Sequence, residues 1–317
     1  MIGERFDNPP APSPLSGRDC LTLAEFSPAE ARLILDEAVR IKTLQKSRIP
    51  YRPLRGRTLA MVFQKPSNRT RVSFEVGMYQ LGGHALHLNP EEIQMGKRET
   101  PGDTGRVLAR YIDAIMVRTF DHGELEELAT AADVPVVNGL SDEHHPCQAL
   151  ADLLTVREAL GTVEGVDIAY IGDGNNVAHS LAIACALTGA NLAIAHPEGH
   201  APDEEVVTLA GKLGAAPTVT QDPQEAASGA QVVYTDVWAS MGQEAEAEER
   251  KRKFAPYQVN KELMELAGED AIFLHCLPAH RGEEVTAEVI DGPRSRVFDQ
   301  AENRLHAQKA LLYLLLG

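Results

Sequence analysis

The run Ser67-Asn68-Arg69-Thr70-Arg71 gathers guanidinium groups, hydroxyls and an amide into one short stretch. It lies between the apolar run 59–63 and a helical pattern that begins at Val72, with Pro66 and Ser67 marking the entry. Strand, tight loop and helix start in that order bring backbone N–H groups beside side-chain donors, which makes an anion pocket. A phosphate or phosphate ester fits this set. Arg69 forks to phosphate oxygens, and Ser67 and Thr70 donate through their hydroxyls. Arg71 has the alternative of packing or pairing within the protein, and a capped surface helix with scattered arginines is the plain competing reading of the whole stretch. The spacing is not that of a nucleotide-triphosphate loop. Gly172-Asp173-Gly174-Asn175-Asn176 follows a strand, but its glycines do not complete a dinucleotide loop.

Arg118 stands at the end of a strand read over 114–117, a favoured ligand position in parallel sheets and equally a place for a salt bridge. His145-Pro146-Cys147-Gln148 precedes a helical run, where His145 and Gln148 can meet one small polar substrate, or form a structural turn. His144 and His145 are adjacent, yet the neighbouring sequence supplies no metal set, so zinc is disfavoured. Asp236 lies just beyond a strand over 232–234, where a carboxylate suits a cationic amine or caps a loop. Trp238 and Met241 offer apolar walls. His275-Cys276-Leu277-Pro278 follows the strand 271–274, and Cys276 is read as a polar contact or thiolate for a cationic ligand, or as a buried thiol. His280 and Arg281 read equally well as surface residues.

The elements that position these residues alternate. Ser27-Pro28-Ala29-Glu30 is a helix start, and Ala31, Leu35, Ala38 and Ile41 follow at helical spacing. Strands are expected at 59–63, 85–88, 114–117 and 134–137, with helices near 69–81 and 103–112, a polar loop around 89–102, and a short acidic helix after Arg118. After a helix over 148–160 come strands at 166–171, 190–195, 216–219, 232–234 and 271–274, a helix from Asn176, and a final helix over 303–316. The charged run 244–253 reads as a solvated helix or loop. The expected fold class is α/β, two domains each with a parallel sheet flanked by helices. The boundaries are 1–150 with a flexible proline-rich arm, 151–298, and 299–317 as a C-terminal helix returning to the first domain.

Bulk properties narrow the partners. A chain of 317 residues can form two modest domains or one large one, and its net charge of −16 argues against a general nucleic-acid binder or a partner of acidic membranes. An anionic substrate must therefore be drawn in by a local arginine cluster. Cys20, Cys147, Cys185 and Cys276 are too scattered for a disulfide framework. No apolar run reaches the length of a membrane span, and the expected location is cytoplasmic.

Read together, Phe63 to Arg71, Met116-Val117-Arg118, His145 to Gln148, Gly172 to Asn176, Asp236 to Gly242, His275 to Pro278 and Gln300 to Arg304 resemble the aspartate/ornithine carbamoyltransferase family, on its ornithine side. The resemblance covers nearly the whole chain after the proline-rich arm. It implies carbamoyl phosphate and L-ornithine as substrates, with citrulline and phosphate as products. It assigns Ser67, Asn68, Arg69, Thr70, Arg118, His145 and Gln148 to carbamoyl phosphate, with Cys276, Leu277 and Arg304 completing that pocket. Gln94 is similar to the residue that reaches a neighbouring subunit's site. Asn176, Asp236, Ser240 and Met241 are assigned to ornithine. The catalytic set implied is Arg69, Thr70, Arg118, His145, Gln148, Asp236 and Cys276. No metal or organic cofactor is implied, and the assembly is a homotrimer or a multiple of trimers, with a role in arginine metabolism. Asn68 departs from the family, which often has Thr there. Transfer to another amine or amino acid, or a non-catalytic sensor of phosphate metabolites, are the alternatives.

Overall fold

Ser27 starts the first helix through its side chain. Its hydroxyl accepts from Glu30 N, and the Glu30 carboxylate takes the Ser27 N–H at 2.7 Å, closing a capping box around Pro28. Such a cap contributes about 1 kcal/mol. The helix that follows, α1 (Pro28–Lys46), buries Ala31, Ile34, Leu35, Ala38 and Ile41 along one stripe. The chain then alternates through β1 (Thr58–Phe63), α2 (Asn68–Gln80), β2 (His84–Leu88), α3 (Pro90–Ile93), α4 (Pro101–Leu108), β3 (Ala114–Arg118), α5 (His122–Ala131), β4 (Val136–Leu140) and α6 (Pro146–Leu160). This is a computed structural model, and it describes residues 13–93, 95–96, 98–239 and 246–317.

The chain divides into two units, one of Met1–Leu150 with Arg304–Gly317 and one of Ala151–Asn303. The first unit holds a four-stranded parallel sheet in the order β2-β1-β3-β4. β1 and β3 are central and read as continuous apolar runs because both of their faces are covered. Ala60, Val62, Ile115, Val117 and Val136 pack with Leu125 and Leu128 of α5 into one core. The strand order reverses between β1 and β3, so the carboxyl ends of these two strands flank a crevice.

The second unit runs through β5 (Asp167–Ile171), α7 (Asn176–Thr188), β6 (Asn191–Ala195), α8 (Glu204–Leu213), β7 (Thr218–Thr220), α9 (Pro223–Ala227), β8 (Val232–Thr235), α10 (Ala247–Phe254), α11 (Lys261–Leu266), β9 (Ile272–His275), α12 (Ala287–Ile290) and into α13 (Val297–Leu316). Its five strands are parallel in the order β7-β6-β5-β8-β9, which reverses between β5 and β8. Gly189 ends α7 in the left-handed conformation at φ 79°, where a side chain would be strained. The core joins Ala169, Ile171, Val233 and Phe273 with Leu263 and Met264 of α11.

Several sequence expectations are corrected. The polar stretch 89–102 contains α3, and α4 begins at Pro101 because Thr100 caps it by accepting from Asp103 N. The strand expected at 134–137 runs Val136–Leu140: Pro135 has no N–H for the ladder, and buried Asn138 hides the strand's continuation by its polarity. The final helix begins at Val297, six residues before the expected 303. Its first turns bury Gln300 and Asn303, which bond Asp152 and Thr155, so no apolar stripe announces them. Within the charged run, α10 (Ala247–Phe254) is a largely exposed helix, as expected, but it buries Arg250 and, just past the run, Phe254.

Candidate functional site

In the first unit, β1 delivers the chain to the crevice and α2 leaves from it. Ser67 caps α2 by accepting from Thr70 N, leaving its own hydroxyl hydrogen as a donor. Asn68 and Arg69, in the first turn, are exposed, and Thr70 is buried. Arg71 turns elsewhere and pairs with Glu75 at 3.4 Å on the exposed face of α2, so it is not gathered with the others. Arg118 is buried as the last residue of β3, and its carbonyl accepts from Gln64 N at 2.8 Å.

Arg304, on α13, organises the interior of this group. Its guanidinium donates to Gln148 Oε1 at 2.9 Å and to Thr70 Oγ1 at 3.1 Å, with His145 Nε2 at 3.5 Å. Burial pushes the His145 pKa well below the ordinary imidazole range, and the charges of Arg304, Arg118 and Arg69 push it the same way. His145 is therefore neutral near pH 7, a hydrogen-bonding group rather than a cation. Cys147, beside it in sequence, is wholly buried, and burial raises its thiol to about 12. It is not a nucleophile in this state.

Lys65 joins this cationic group although only its motif, not the residue itself, stood out in the sequence. It is buried, its ammonium lies 4.0 Å from the Phe120 ring centroid, and its pKa is lowered by burial and then by the charge of Arg118. The signal was present: a lysine two residues before a helix cap at a strand end. Gln94 lies outside the described residues.

In the second unit, β5 and β8 end at the other reversal. Asn175 caps α7 through Oδ1, which accepts from Val177 N and Ala178 N, and its amide donates to Asp236 Oδ2 at 2.9 Å. Tyr170 O–H also reaches Asn175 Oδ1, at 3.2 Å, and burial raises its pKa well above the ordinary phenol range. Asp236 is buried and accepts at Oδ1 from Val237 N and from the Cys276 thiol, both at 2.8 Å. Asn176 is the first residue of α7, with intermediate burial. The structure thus brings Asp236 and Cys276 into contact, with Asn175, not singled out in the sequence, tying them to the helix start. Ser240 and Met241 lie outside the described residues.

The supporting shell is specific. Gly174 N donates to His200 O, and any Cβ there would fall 2.1 Å from Pro202 N, so only glycine fits. Arg250 Nη1 bonds Asp173 at 2.7 Å and Trp238 O at 2.8 Å, fixing the segments after β5 and β8. Leu277 adopts φ 58°, a left-handed conformation that is strained for leucine, and its N–H donates to His275 Nδ1. His275 N in turn donates to Gln300 Oε1.

One parallel-sheet unit gathers cationic side chains at its sheet reversal, and the other sets a buried carboxylate at its own. Comparison with known proteins gives that arrangement a family. The aspartate/ornithine carbamoyltransferase carbamoyl-P binding domain matches residues 18–158, and the Asp/Orn binding domain of the same family matches residues 164–315. The ornithine carbamoyltransferase of Anoxybacillus flavithermus is 60% identical over 306 residues, covering 95% of this chain and 98% of that protein. An anabolic ornithine carbamoyltransferase of Pyrococcus furiosus is 57% identical over 96% of this chain and 98% of its own length. The solved structure of ornithine carbamoyltransferase from Pyrococcus furiosus superposes with a TM-score of 0.93 at 57% identity, covering 97% of this chain and 99% of that one. The chain belongs to the aspartate/ornithine carbamoyltransferase family. Among the described residues, no helix is long and apolar enough to cross a membrane.

Proposed function

We propose that this chain transfers the carbamoyl group of carbamoyl phosphate to the side-chain amine of L-ornithine, giving L-citrulline and phosphate. The observation that carries this reading is that each unit sets a charge-complementary group at its own sheet reversal: arginines around a neutral imidazole in one, the Asp236–Cys276 pair in the other. Ser67, Asn68, Arg69 and Arg118, with the first N–H groups of α2, hold the phosphate. Thr70 and neutral His145 hydrogen-bond the carbamoyl oxygen, where negative charge develops as the carbon becomes tetrahedral. Gln148, held by Arg304, aligns the carbamoyl amide.

Asp236 receives the ornithine ammonium, and the Cys276 thiol shares that carboxylate. After the ammonium has given one proton to solvent, the neutral amine nitrogen attacks the carbamoyl carbon, the bond from that carbon to the phosphate oxygen breaks, and phosphate takes the second proton from the nitrogen. Arg69 and Arg118 favour that departure by neutralising charge on the leaving group. Asn176, Ser240 and Met241 hold the α-amino and α-carboxylate end of ornithine.

The finer setting follows the same reading: a cytoplasmic enzyme of arginine biosynthesis, working as a homotrimer or a multiple of trimers, with Gln94 serving a neighbouring subunit. Support for self-association comes from α2 and the edge strand β2, which expose Val72, Val76, Tyr79 and Leu86. Light scattering after size exclusion measures the assembly. Product analysis with carbamoyl phosphate and each of ornithine, aspartate, putrescine and N-acetylornithine tests the reaction. Citrulline as the dominant product is expected. Preference for another acceptor, or binding without turnover, overturns the assignment.

A further inference from the structure

We propose that His122, Glu143 and His144 form a binding site for a divalent first-row transition cation of the zinc type, with Glu126 at its edge. The sequence around His144 supplied no complete metal set. The fold supplies a partner from 22 positions away by setting His122, the first residue of α5, against the segment that leads into α6. One donor atom from each of His122, Glu143 and His144 lies within 4.8 Å of the others. The two imidazoles are buried and meet edge to face, with centroids 5.2 Å apart. Glu126, one helical turn after His122, brings Oε1 to 4.0 Å from His122 Nε2 and keeps its side chain largely in solvent.

Two nitrogens and two carboxylates are a donor set for zinc or its neighbours rather than for magnesium or calcium. Ligand bonds of about 2.0–2.2 Å require the donors to draw together by about an ångström, which the exposed carboxylates of Glu143 and Glu126 can supply by rotamer change. The orienting partner of a metal-bound imidazole is already in place, because His122 Nδ1 lies 2.8 Å from Ser141 Oγ. Metal binding selects the tautomer whose Nδ1–H donates to Ser141, so that Nε2 carries the lone pair. Ser141 then directs its own hydrogen to His144 O, and it already accepts from His144 N at 3.2 Å.

The other two clusters of this kind among the described residues are weaker. His275, grouped with Asp236 and Cys276, has Nε2 against Glu284 and Nδ1 accepting from Leu277 N, so both ring nitrogens are engaged. The His280 cluster has an exposed imidazole with Glu283 and Glu284, and Glu283 already pairs with Lys251. Among the described residues, only the His122 site joins two separate segments through two buried imidazoles. An occupied site clips the start of α5 to the loop that presents His145.

The test is titration of the chelator-dialysed full-length protein with cobalt(II), read by visible absorption, and with zinc by calorimetry. One equivalent per chain is expected, with ligand-field bands and no thiolate charge-transfer band. His122→Gln and His144→Gln should each weaken binding by at least about tenfold and abolish the rise in melting temperature that the metal gives the parent. Cys276→Ser should leave binding unchanged. Glu126→Gln, at an exposed position, guards against a folding defect in the histidine variants and should weaken binding by a smaller factor. Parent-like binding in both histidine variants, loss of binding in Cys276→Ser, or no uptake of either metal by the parent overturns the proposal.

Discussion

Replacing Arg69 separates function from stability more cleanly than any other change to the cationic pocket. Its side chain is exposed in the first turn of α2, so Arg69→Ala removes little packing and should change unfolding free energy by no more than about 0.5 kcal/mol. In a unit of this size that is a melting shift below about 2 °C. The catalytic loss should be far larger. Removing one preorganised donor from a developing charge typically costs about 2.7–4 kcal/mol, or 10²–10³-fold in rate. Arg69→Lys keeps the charge but loses the fork, and with charged hydrogen bonds contributing about 1.5–3 kcal/mol each, it should recover roughly half of the lost free energy. A second readout is independent of turnover. Arg69 is one of the charges holding the His145 pKa down, so in Arg69→Ala the imidazole resonances of His145 should titrate at higher pH than in the parent. Initial rates against carbamoyl phosphate, thermal unfolding and histidine NMR together make the assay. A kcat/KM within twofold of the parent, or an unmoved His145 titration, refutes the placement of Arg69 in this pocket.

Asp236→Asn should lower kcat/KM for ornithine by about 10²-fold or more, the scale of breaking one buried, hydrogen-bonded charge contact, while calorimetric binding of carbamoyl phosphate stays close to that of the parent. His145 also predicts an acid limb in stability. Its folded-state pKa is depressed, so the unfolded chain takes the proton first; stability is present above about pH 6.5 and is lost below it, by at most about 1.36 kcal/mol per pH unit. Urea unfolding at pH 7.5 and 5.5 should show this slope, and His145→Gln should flatten it. Arg250→Met breaks a buried pair with Asp173 and should lower unfolding free energy by about 3–5 kcal/mol, whereas Lys251→Met, on an exposed pair with Glu283, should leave the melting temperature unchanged.

The alternation of strands and helices was legible because parallel strands covered on both faces are continuous apolar runs, as 59–63 and 114–117 are. It failed where buried positions are polar. Asn138 donates to Leu21 O at 2.9 Å, while Gln300 and Asn303 bond Asp152 and Thr155 from the first turns of α13. None of these partners is near in sequence, so pattern alone had no means of marking the positions as interior. The helices α8, α9 and α11 escaped for a different reason. Each is capped by Asp203, Asp222 or Asn260, but Asp and Asn are equally common in loops, and the helices behind them are too short to show a period.

On the proposed reading, a tertiary contact rather than local sequence separates the two binding groups. Both units place the cap of a helix just after a central strand, Ser67 for α2 and Asn175 for α7, and in both the cap's acceptor is spent on the helix's own N–H groups. What remains to face a ligand is the cap's hydrogen. Ser67 keeps a hydroxyl proton and Arg69 stands two residues later, so that helix start is rich in donors and suits an anion. Asn175 gives its amide proton to Asp236, which turns an equivalent helix start into the support of a carboxylate and suits a cation. The residue types at the caps were legible in the sequence. The inversion of charge was not, because it depends on Asp236 arriving from β8, 61 positions away, at hydrogen-bonding distance. Asn175→Ser keeps the cap acceptor and removes that amide proton, so ornithine use should fall while the melting temperature moves little. Equal losses in both would make Asn175 a helix cap alone.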